Sequence, residues 1–100
     1  MSEFAELGEK MADKDRIHEI HGLTLQAWQW YKDKAQTIPA KRDEYFWQTV
    51  TDDIKNMTKK DKIENVNCRN FLKDSLIAYM NELQGEYCEW LSTKQERLPV

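Results

Sequence analysis

The chain reads as an all-α protein: a small antiparallel helical bundle of three main helices, with a short N-terminal segment as an optional fourth. Three observations predict this. Apolar residues recur at spacings of three and four over long stretches, the period of an amphipathic helix. β-Branched residues are sparse and nowhere alternate with polar ones over a strand's length. Only 3 glycines and 2 prolines occur in 100 residues, too few to punctuate a set of hairpins. With 40% hydrophobic and 11% aromatic residues, the chain can build one core, so residues 1–100 form one domain.

Residues 2–12 place Phe4, Leu7 and Met11 on one stripe and Glu3, Glu6 and Glu9 off it. Ser2 can cap the first turn, and acids near a helix N-terminus complement the macrodipole. Gly8 costs about 1 kcal/mol against alanine. The expectation is a short helix, or an arm that orders only on docking. Asp13 and Asp15 are cap candidates for a second, longer helix. Along it Ile17, Ile20, Leu23, Ala27, Trp28, Trp30, Tyr31, Ala35 and Ile38 share one arc, with Trp28 and Trp30 at its opposite edges. Leu25 falls well outside that arc, and Gly22 sits on the polar side.

Pro39 ends this helix, because the residue before a proline avoids the α region, and it suits the first position of the next. From Ala40 to Met57 the apolar arc narrows to Phe46, Trp47, Val50, Ile54 and Met57, the mark of an outer helix, while Tyr45 points away. Thr58–Lys60 breaks the pattern. Asp61 and Glu64 have the form of a capping box, which would start the last helix there. Asn65, Asn67 and Asn70 prefer caps and turns and point to a kink or restart.

From Leu72 onward Leu76, Ile77, Tyr79, Met80, Leu83, Tyr87, Cys88, Trp90 and Leu91 fill half the helical wheel. That arc is wider than one neighbour needs, so this helix is expected to pack against at least two partners. The tail Lys94–Val100 is expected to fray at Pro99. Connections of a few residues favour an up-down-up order.

The 18 acidic and 15 basic residues leave a net charge of −3, which supports solubility and offers nucleic acid no global attraction. No apolar run approaches the roughly 18 residues of a membrane span, and no basic-then-apolar leader opens the chain. Cys68 and Cys88 would lie about 30 Å apart along a continuous helix, beyond disulfide reach. The expectation is two buried thiols in a cytoplasmic protein without membrane contact.

Chemistry-bearing motifs are few. His18-Glu19-Ile20-His21 spaces its imidazoles by three, whereas the zinc-protease pattern needs four, and no third ligand lies nearby. Nucleotide pyrophosphohydrolases of the MazG type pair Glu-x-x-Glu with a downstream Glu-x-x-Asp. Here Glu6-x-x-Glu9 and Glu86-x-x-Glu89 lack that second pair. Cys88 sits between acids and Cys68 lacks a histidine, so neither has the setting of a reactive thiolate. The three isolated glycines form no phosphate loop. No catalytic residue, metal or cofactor is expected.

Two binding classes remain. The first is a non-enzymatic protein–protein interaction module that occludes a surface or self-associates, as a phage or mobile-element regulator or inhibitor would. Its partner is an unidentified protein or a second copy in a homodimer. Trp28, Trp30, Tyr45 and Phe71 are the expected contact residues, because aromatics off or at the edge of a core arc ringed by charge have hot-spot composition. Glu82, Glu86 and Glu89 form an acidic stripe that would steer docking toward basic surfaces. The alternative is a nucleic-acid-associated protein using Lys32, Lys34, Lys41 and Arg42 around Pro39, beside aromatic rings of the kind single-strand binders use.

Overall fold

The computed structural model describes residues 2–97, with side chains from 14 to 94. Three α-helices and a 3-10 turn follow in order: α1 (Ser2–Ala35), the turn Pro39–Lys41, α2 (Glu44–Met57) and α3 (Val66–Arg97). No strand occurs among the described residues. The molecule is elongated, 74 × 25 × 16 Å.

Helix α1 runs from Ser2 to Ala35 without interruption, so residues 2–12 open α1 and are not a separate fourth element. The stretch Ala12-Asp13-Lys14-Asp15 contains no glycine or proline. A cap side chain matters only where backbone N–H groups lack an intrahelical acceptor, and here the ladder continues through them. The expected stripe of Phe4, Leu7 and Met11 lies outside the residues whose side chains are described.

The other helix starts follow available side-chain acceptors. Pro39 occupies the first position of a 3-10 turn and not of α2 itself, after Ile38 in extended conformation. Helix α2 begins later, where Asp43 Oδ1 accepts from Phe46 N at 2.9 Å. Helix α3 begins where Asn65 Oδ1 accepts from Cys68 N at 3.0 Å, which makes the asparagine-rich stretch a start and displaces the Asp61–Glu64 capping box. Arg69 Nη1 reaches back to Ile63 O at 3.1 Å and ties the preceding loop to this start. At the other end α3 continues through Lys94 to Arg97, beyond the expected start of fraying. Lys94 Nζ lies 5.2 Å from the Trp90 ring centre, and Leu98–Val100 lie outside the described residues.

Cross-helix contacts fix the directions. Glu19 of α1 lies close enough to Cys68 of α3 to raise its thiol, the Trp28 and Tyr79 rings lie 6.2 Å apart, and Tyr31 bonds Glu86. Positions on α1 and α3 therefore advance together. Helix α2 runs against them: Trp47 meets Tyr87 at 5.8 Å, while Thr51, Ile54 and Lys55 share a groove with Lys73, Ile77 and Met80.

The core is centred on α3. Cys68, Leu72, Leu76 and Leu83 are fully buried, together with Val50 of α2. Leu23, Ala27 and Trp30 close it from α1, and Phe46 and Ile54 from α2. Two residues of the predicted α1 arc stay outside. Ile17 is 65% exposed, level with the first residues of α3, where that helix has only begun. Ile38 is 55% exposed because α1 has ended three residues earlier.

Candidate interaction surface

The most organised polar cluster lies where α1, the turn and α3 meet. Arg42 follows the 3-10 turn and is 2% exposed. Its Nε donates to Thr37 O at 2.9 Å, Nη1 to Leu83 O at 2.8 Å and Nη2 to Glu86 Oε1 at 2.9 Å. The other oxygen of Glu86 accepts from the Tyr31 hydroxyl at 2.5 Å. That bond, followed by burial and the charges of Glu86 and Glu82, pushes the Tyr31 phenol up to about 12. A planar guanidinium serving three acceptors at once suits an arginine and not a lysine.

Tyr31 carries this anchor into an aromatic ladder. Its ring stacks on Tyr79 at 4.9 Å, with 22° between planes, and on Trp28 at 5.9 Å and 28°. Trp28 ends the ladder at the surface, 44% exposed, with Lys32 Nζ 5.8 Å from its ring centre. Leu25 is 53% exposed on the same stretch of α1. The result is an apolar, partly solvated surface in which Tyr31 is fixed from behind by its hydrogen bond to Glu86 and Tyr79 by ring packing.

The structure separates the residues that sequence placed together. Trp28 and the half-buried Phe71 lie on the α1–α3 side of the molecule. Trp30 does not: it is 8% exposed, and its Nε1 donates to Asp53 Oδ2 at 3.0 Å. Position 30 points toward α2, and the carboxylate there satisfies the indole N–H inside the fold. Tyr45 is 79% exposed, on the outer side of α2 away from Phe46, Val50 and Ile54, and so does not join Trp28 and Phe71. Of the acidic stripe, Glu82 and Glu89 are exposed, but Glu86 is drawn inward by Arg42 and Tyr31.

The basic cluster is divided as well. Arg42 is buried, and Lys34 Nζ pairs with Asp53 at 2.8 Å, so two of the four expected phosphate contacts serve the fold. Lys32 and Lys41 stay exposed. His18 and His21 are exposed, and no group of three or more metal-capable side chains occurs among the described residues. Cys68 is buried as expected, its thiol pushed up by burial and by Glu19. Cys88 is exposed, contrary to expectation. It sits at the edge of the α3 arc, on the side that neither α1 nor α2 covers.

Tyr31 and Tyr79 belong to this surface although sequence placed them simply among core residues. For Tyr31 its tyrosine identity was the available signal, since a hydroxyl at a core edge demands a partner. Compared with protein-family models, characterised proteins and solved structures, the chain shows no match. No helix among the described residues is long and apolar enough to cross a membrane.

Proposed function

We propose that the chain is a non-enzymatic protein-interaction module that docks its α1–α3 face on a protein surface and acts by occluding or bridging it, as a small regulator or inhibitor does. The observation that carries this reading is Trp28, partly exposed at the end of a ladder in which Tyr31 is locked by Glu86 and, through it, Arg42. A ring held in place before docking loses little conformational freedom on binding. Tryptophan, tyrosine and arginine are also the residues on which interface energies concentrate. Lys32, Glu82 and Glu89 at the margins supply charge for steering. The nucleic-acid reading is less well supported, because Lys34 and Arg42 are spent on internal partners.

The test compares wild type, Trp28→Ala and Tyr45→Ala as immobilised bait and in solution. Trp28→Ala is expected to weaken the association of the wild type about thirtyfold, the equivalent of a 2 kcal/mol hot spot. Its melting temperature stays within about 2 °C, since the ring is partly solvated. Tyr45→Ala leaves association unchanged. Wild-type binding by Trp28→Ala would refute the reading.

A further inference from the structure

The side of the α1–α3 pair that faces away from α2 carries charge in a specific distribution. At 100° per residue, Lys14, Ile17, His21, Trp28 and Lys32 fall within about 60° of one another on α1. No carboxylate shares that strip between Lys14 and Lys32. On α3 the corresponding strip holds Phe71, Asp74, Ala78, Glu82 and Glu89, and no basic residue shares it. One broad face is therefore split lengthwise into a basic half on α1 and an acidic half on α3. Exposed apolar groups lie in the basic half: Ile17 at 65% and Trp28 at 44%.

We infer that this face binds a second copy of the chain, in a parallel two-fold dimer that lays α1 of each copy on α3 of the other. The inference rests on the docking reading above and names its partner. Because α1 and α3 run in the same direction, a two-fold axis along the helices superposes the basic half on the acidic half without any shift. An axis across the helices would set α1 on α1 and acid on acid, so the charges select one geometry.

The register then follows from the pairing of Trp28 with Tyr79, 51 positions apart. Lys32 comes opposite position 83 of the second copy, next to its Glu82. His21 comes opposite position 72, between Phe71 and Asp74. Trp28 comes opposite position 79, beside Ala78, whose short side chain leaves room for the indole. The 18 helical steps from Lys14 to Lys32 span about 27 Å, and the molecule is 25 Å across. A face of that size approaches the roughly 800 Å² per partner of a standard specific interface.

Sedimentation equilibrium of the full chain at low salt, over a range from about 1 μM to about 1 mM, tests this. The wild type is expected to show a monomer–dimer equilibrium. Lys32→Glu and Glu82→Lys each raise the dissociation constant about tenfold or more, since each reversal acts at two symmetry-related places. The double variant returns it to within about threefold of wild type. Both positions are exposed, and far-UV circular dichroism verifies that the variants fold.

A wild type that stays monomeric throughout, single reversals without effect, or a double variant without rescue would each overturn the dimer. A monomeric chain that still binds a different protein through Trp28 overturns the dimer but leaves the docking reading standing. Loss of both removes both.

Discussion

Replacing Arg42 by alanine should destabilise the bundle by about 3 kcal/mol. The side chain is 1% exposed and holds three acceptors on two segments: Thr37 O before the turn, and Leu83 O and the Glu86 carboxylate on α3. Removing one member of a buried pair costs about 3–5 kcal/mol, most of it from the charge left without a partner. Glu86 is 27% exposed and can turn part of its charge to water, which sets the expectation at the lower end. The guanidinium also lies 5.7 Å from the Phe46 ring centre, so truncation removes packing as well as charge.

For a domain of this size each kcal/mol moves the midpoint by about 4–8 °C, so Arg42→Ala should melt at least about 12 °C below wild type. Arg42→Lys should recover less than half of the loss, because a lysine keeps the charge but cannot reach three divergent acceptors. Urea unfolding followed by circular dichroism measures both. A loss below about 1 kcal/mol for Arg42→Ala, or full stability for Arg42→Lys, would show that the network is incidental.

Alkali offers a second test. The Tyr31 phenol is raised from 10.0 to about 12 in the folded chain, so its contribution is fully present below pH 10 and is lost as pH rises toward 12. Spectrophotometric titration should resolve one late-titrating tyrosine, absent from Tyr31→Phe; four phenols titrating together would contradict the bond to Glu86. The cysteines should separate in thiol labelling, with exposed Cys88 reacting in the native state and buried Cys68 only on unfolding. Equal rates would place Cys68 at the surface. Asn65→Ala removes the side-chain acceptor at the start of α3 and should cost about 1 kcal/mol in urea unfolding. No change would move the helix start upstream, toward Asp61.

The sequence by itself determined the class of the protein and its central helix. Periodicity of three and four, with few glycines and prolines, leaves no alternative to helices. The half-wheel arc from Leu72 to Leu91 required two neighbours, and α3 has them. The exposure of Tyr45 and the partial exposure of Trp28 were legible in the same way, since each lies off or at the edge of its own arc. What sequence could not decide were features that depend on where a neighbour begins and ends. Ile17 matches the core period but lies level with the first residues of α3, where that helix has only begun. Asp13 and Asp15 resemble caps but lie inside a continuous ladder.

Arg42, Lys34 and Glu86 looked like solvated charges because charge on a helix surface is the common case. Only the tertiary structure set Arg42 within reach of Leu83 and Glu86, more than forty positions away, and drew Lys34 and the Trp30 indole to Asp53. Helical periodicity is local and reports which face of a segment avoids water. The partner of a buried charge is set by register between helices, which no local pattern contains.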